Sequence, residues 1–122
     1  MVGFVDAHGR WVIRPRFADA YEFHEGLAAF RSSERGRIGF IDTRGRVVIA
    51  AKFGTHFRSP PVFSEKLAAV GLNDDWPRTN LDPPGKLGYI DHCGRWVIPA
   101  KYSSGQSFSR GVARVMLAHR KS

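Results

Sequence analysis

The sequence predicts an all-β protein of three tandem antiparallel β-hairpin or meander repeats in an open twisted array. Three observations carry that expectation. One block of residues recurs three times. Turn signatures separate apolar runs that are short enough to be strands, and no stretch keeps a helical apolar period. The copies start at Gly3-Phe4-Val5-Asp6, Gly39-Phe40-Ile41-Asp42 and Gly88-Tyr89-Ile90-Asp91. Each continues through Gly-Arg into an apolar run, as Trp11-Val12-Ile13, Val47-Val48-Ile49 and Trp96-Val97-Ile98. A basic-aromatic pair follows, Arg16-Phe17, Lys52-Phe53 or Lys101-Tyr102. The last shared block opens at Phe23, Phe63 or Phe108 and reaches Leu27-Ala28, Leu67-Ala68 or Val112-Ala113.

These copies occupy residues 3–38, 39–87 and 88–122 of a single domain spanning 1–122. Gly3 and Gly39 are 36 residues apart, whereas Gly39 and Gly88 are 49 apart, so the middle copy carries insertions. Four extra residues precede Phe63 and nine follow it, which places two loops where this copy departs from the repeat.

Each element has a local cause. Asp-x-x-Gly between apolar runs is a turn, because the Asp side chain accepts backbone N–H groups ahead of it and Gly takes the left-handed conformation. It joins a strand at about Gly3–Asp6 to one at about Arg10–Ile13. From Phe17 to Glu25 the pattern is weak and suggests one helical turn. The Leu-Ala-Ala-Phe segment reads as a third strand, with Ala28, Ala68, Ala113, Phe30, Val70 and Val115 inward and Ala29, Ala69 and Arg114 outward. The polar run from Arg31 to Gly36 then returns to the next copy. Since one such unit cannot bury its apolar face alone, the copies must pack on each other. A closed pseudo-threefold trefoil is the alternative; it uses four strands per copy, against the three counted here.

The repeated G-[FY]-[VI]-D-x-x-G-x-x-V-I and F-x-x-G-L-A blocks resemble the WG (tryptophan-glycine) β-repeat family from Gly3 to about Leu117. The residue before the repeat Gly is Val2, Ile38 or Leu87, where that family usually has Trp, and Lys66 stands where the other copies have Gly26 and Gly111. The resemblance implies an interaction or scaffold repeat in a bacterial setting, with no catalytic residues to carry over.

Composition narrows the functions further. With 122 residues, 43% hydrophobic and 12% aromatic, the chain can close a modest core. No apolar run approaches the roughly 20 residues of a membrane helix, and no secretory leader pattern heads the chain, so a cytoplasmic, membrane-free protein is expected. Lone Cys93 offers no disulfide and, with His92 beside it, no ligand or nucleophile spacing. Asp6, Asp42 and Asp91 are explained by turn closure. Hence no enzyme activity, metal or cofactor is expected. Trp11 and Trp96 read as core or inter-copy packing.

Two surfaces are the candidates for binding. The insertions supply Asp74, Asp75, Trp76 and Arg78 in one loop and Phe57 and Arg58 in the other, and Trp and Arg are enriched at interface hot spots. The third copy holds six basic residues against one acidic and thus +5 of the net +8, including Arg110, Arg114, Arg120 and Lys121. The expectation is a non-catalytic protein-interaction module that meets an acidic patch on a protein partner, an inhibitor or immunity protein being one version. The alternative is a nucleic-acid-associated protein using the basic third copy.

Overall fold

The computed structural model describes residues 1–32, 37–54, 61–71 and 87–117. They are all-β, an open twisted arrangement of hairpins in three antiparallel sheets. The first sheet is the hairpin β1 (Val2–Val5) and β2 (Trp11–Phe17). The second runs β3 (Asp19–His24), β4 (Leu27–Arg31), β5 (Ile38–Ile41) and β6 (Val47–Phe53) in chain order. The third holds β7 (Ala68–Gly71), β8 (Leu87–Ile90), β9 (Trp96–Gly105) and β10 (Val115–Leu117), again with sequential neighbours paired. Among the described residues no strand of the first sheet pairs with the third.

The Asp-x-x-Gly turns form as their residues require. Asp6 Oδ1 accepts the N–H groups of His8 and Arg10 at 2.8 and 3.0 Å; Asp42 and Asp91 do the same in their own turns. A second feature is shared by all three hairpins. Phe4 faces Ile13 and Val5 faces Trp11, which leaves Val12 as an extra, bulged residue. Val48 and Val97 are bulged at the equivalent places. Farther along, Val2 faces Phe17, so three residues of β2 oppose Gly3 alone. A Cβ on Gly3, Gly39 or Gly88 would lie 2.4–2.5 Å from the carbonyl oxygen of Ile13, Ile49 or Ile98, closer than side chains ever approach. Only glycine lets the two backbones come this near.

Three expectations need correction. The segment expected to form a helical turn is instead strand β3, giving the first copy four strands. Phe23 and His24 pair with Ala28 and Leu27 across a two-residue turn, Glu25-Gly26, whose residues both have positive φ. That hairpin turn holds the segment extended. Among the described residues the other two copies have three strands each. Ala29 and Ala69, expected to face outward, are 1% and 8% exposed. Both faces of β4 and β7 are covered by other parts of the array. Val115 is the opposite case: Phe30 and Val70, at the same position of the other copies, are buried, while it is 37% exposed.

The core runs through the copies rather than inside each. Leu27, Phe40, Phe53, Phe63, Val70 and Ile90 belong to one buried cluster, and Phe40 meets Phe63 edge-on at 4.8 Å. The second hairpin turn is strained in the middle copy. Glu65 and Lys66 have φ of 52° and 69°, whereas the other copies place Gly26 and Gly111 at the second position. A left-handed conformation costs a non-glycine residue roughly 1–2 kcal/mol. Lys66→Gly is therefore expected to stabilise the fold by about 1 kcal/mol after the extra flexibility of the unfolded glycine is offset. Urea unfolding should show the higher midpoint.

Candidate functional site

The apolar run that opens the second strand of each hairpin is not core along its whole length. Its third residue is buried in the first two copies, Ile13 at 5% and Ile49 at 2% exposure, and half-buried in the third, at Ile98. The two residues before it stand out in solvent in every copy: Trp11-Val12, Val47-Val48 and Trp96-Val97 are all between 37% and 53% exposed. The bulge explains this, because the extra valine breaks the two-residue alternation that would otherwise bury every other side chain. Arg10, Arg46 and Arg95 precede the three pairs and are exposed. Arg46 Nε donates to Asp42 Oδ2 at 3.0 Å. Trp96 is the most covered of the six, with its ring edge-on to Phe53 of the preceding copy at 5.5 Å.

The copies are joined in register, which sets these pairs in succession along the array. Gly45 of the middle turn sits against Ile13, and Gly94 of the third turn against Ile49. Arg16 donates from its guanidinium to the Gly45 carbonyl. Glu25 Oε1 accepts the Lys66 N–H at 3.0 Å, and one copy later Glu65 Oε1 accepts the Gly111 N–H at 2.7 Å. His92 Nε2 lies 2.9 Å from Glu25 Oε1, and its ring stands edge-on to Phe63 at 4.7 Å. Ser64 Oγ donates to the Phe108 carbonyl at 2.6 Å. His92 is thus a clasp between copies, while its neighbour Cys93 is exposed.

Beside β1, an open cleft of about 520 Å³ is lined by Val2, Gly3, Phe4, Ala20, Tyr21 and His24, among others. Its floor is apolar. His24 Nε2 and Glu22 Oε2 lie 3.7 Å apart at its rim, and Tyr21 donates its hydroxyl to Asp19 Oδ2 at 3.0 Å. Desolvation, followed by that bond to a carboxylate, raises the Tyr21 phenol.

Of the residues singled out in the sequence, Arg110 and Arg114 are exposed in the third copy, as a contact surface requires. Trp76, Arg78, Asp74, Asp75, Phe57, Arg58, Arg120 and Lys121 lie outside the described residues. Trp11, assigned to packing from sequence, is instead 51% exposed. Among the described residues, no three His, Cys, Asp or Glu are grouped to hold a metal ion, and no helix is long and apolar enough to cross a membrane.

The model of the WG-containing repeat matches residues 3–33, 38–55 and 88–118. The chain belongs to the WG-repeat family. Its three matched stretches follow the three copies, with the middle match ending at the start of the first insertion. Neither a comparison with curated proteins nor one with solved structures finds a match. What the family establishes here is a repeat-containing module.

Partial desolvation pushes the Glu25 carboxyl upward, but the bond from His92 and the backbone N–H donors at Lys66 and Glu65 outweigh it and leave it below the usual glutamate range. The Arg46 and Arg44 N–H groups lower Asp42, and those of Arg95 and Cys93 lower Asp91, each against a smaller opposing desolvation. A carboxyl lowered on folding stabilises the fold above its unfolded pKa, and that contribution is lost as pH falls through the folded value. Stability should therefore decline from about pH 4.3, the ordinary glutamate value, downward. Glu25→Gln should flatten part of that decline. Thermal melts of both proteins from about pH 7 to 3 would check the sign.

Proposed function

We propose that the chain is a non-catalytic protein-binding module whose contact surface is the exposed ladder Trp11-Val12, Val47-Val48 and Trp96-Val97 together with its arginines. The observation that carries this reading is the exposure of large apolar side chains at the same two consecutive positions of three hairpins. Folding alone gives no reason to hold six such groups about half in water, since each forgoes roughly half of the 1.5–3 kcal/mol that full burial would give. Contiguous apolar surface rimmed by charge marks interaction sites, and Trp and Arg are the residue types that anchor them. The net charge of +8, with Arg10, Arg95, Arg110 and Arg114 exposed, favours an acidic partner and speeds encounter with it. An inhibitor or immunity protein would use such a surface to cover a partner's working face.

Exposed tryptophans beside arginines also suit single-stranded nucleic acid, where bases stack on aromatic faces. Salt dependence separates the two. A protein contact centred on the ladder should survive nuclease and moderate salt, whereas binding to phosphates weakens steeply as salt rises. Trp11→Ala and Val48→Asp should each leave the melting temperature nearly unchanged, because both side chains are about half exposed. Capture of a stoichiometric protein partner from native lysate should fall by about 30-fold in affinity for Trp11→Ala, the scale of a 2 kcal/mol hot spot. Undiminished capture by both variants would reject the ladder as the contact surface.

A further inference from the structure

The joints between copies follow one rule, and the chain carries the two halves of one more joint. In the second sheet, the strand that ends the first copy pairs with the strand that opens the middle copy: Ala28 faces Ile41, Ala29 faces Phe40, and Phe30 faces Gly39. In the third sheet the middle copy's closing strand meets the third copy's opening strand in the same register, with Ala68 on Ile90, Ala69 on Tyr89 and Val70 on Gly88. The opening strand of the first copy, β1, has β2 as its one strand partner among the described residues. The closing strand of the third copy, β10, stands last in its sheet among the described residues.

Burial shows what β1 lacks. Ile41 and Ile90 are 0% exposed, while Val5 at the same repeat position is 53% exposed. Phe40 and Tyr89 are likewise fully buried, and Phe4 is only half-buried beside the 520 Å³ cleft. At the other end the pattern is mirrored. Ile13 and Ile49 are covered by the turn glycines of the next copy, but Ile98 is half-buried, and a Cβ on the turn glycine of the first copy, Gly9, would meet nothing within 4 Å. Val112 and Val115 are 70% and 37% exposed.

We propose that β1 is a docking edge for a second copy of this chain, whose residues 113–115, leading into β10, lie antiparallel on it with Ala113 opposite Val5, Arg114 opposite Phe4 and Val115 opposite Gly3. Ile98 of one chain then covers Gly9 of the other. Both halves of the joint come from one sequence, so the contact is head-to-tail and adds chains in a line rather than closing a symmetric pair. One residue opposes it. Glu25 and Glu65 each accept a backbone N–H of the following copy, but the equivalent residue of the third copy is Arg110, which accepts nothing. The joint between chains therefore lacks one bond that the internal joints have, and association is weak and concentration-dependent.

Sedimentation of the native chain should give a mass that rises with concentration. Arg110→Glu should strengthen the association at least threefold, and Arg44→Glu, the same charge change in an exposed turn, should strengthen it less. In a Cys93→Ser background, mixing the single variants Val5→Cys and Ala113→Cys under mild oxidation should yield a disulfide-linked dimer. Each variant alone should stay largely uncrosslinked. A native mass that stays monomeric at every concentration overturns the proposal, and so does crosslinking of Val5→Cys with itself as efficient as in the mixture, which would mean that β1 pairs with β1.

Discussion

The close approach of two backbones at the first glycine of each copy governs the rest of the structure. At Gly3, Gly39 and Gly88 the opening strand passes within contact of the carbonyl oxygen of the isoleucine opposite, where a side chain has no room. The second strand can then carry three residues opposite that one glycine and still continue as a strand to its basic-aromatic pair. Such a bulge bends and twists the strand that carries it. The bend belongs to the same short stretch in which the isoleucine meets the next copy's turn, so the local contact and the stacking of copies are one geometry.

A second consequence concerns how copies are tied together. Sheets do not coincide with repeats: each of the two larger sheets takes its first strand or strands from one copy and the rest from the next. A copy is thus held by backbone hydrogen bonds on both sides, by packing of Phe40 on Phe63, and by the Glu25 contacts to Lys66 and His92. Stability in such arrays is a sum of unit and neighbour terms, and here the neighbour term includes strand pairing itself. Among the described residues the opening strand of the middle copy is paired on both sides, whereas that of the first copy is paired with β2 alone.

Much of the fold was legible because its signals are local. Asp-x-x-Gly determines a turn within four residues, and its threefold recurrence revealed the repeat. Strand β3 was not legible, since Asp19 to His24 has only weak alternation and owes its extended form to the turn at Glu25-Gly26 and to pairing with β4. The two-sided burial of Ala29 and Ala69 depends on neighbouring copies, which no strand period reports. The exposed ladder was missed for a related reason: an apolar run of three reads as core, and only the bulge at Val12, Val48 or Val97 turns two of its members outward. The Glu25–His92 clasp joins residues 67 apart, and the only hint of it was a Glu at the same place in two of three copies.

The constraint at the repeat glycine is tested most directly by comparing Gly39→Ala with Gly9→Ala in thermal and urea unfolding. Gly9 has positive φ and open space around it, so alanine there costs about 1 kcal/mol of backbone strain. A Cβ on Gly39 would meet Ile49 O at 2.5 Å, Ala51 N at 2.7 Å and the Phe30 ring at 2.8 Å, and none of these can move without displacing a strand or the core. Gly39→Ala should therefore lose about 3 kcal/mol or more and melt about 10 °C lower than the native chain. A loss at Gly39 no larger than at Gly9 would contradict the account, because the backbones would then not need the glycine to meet.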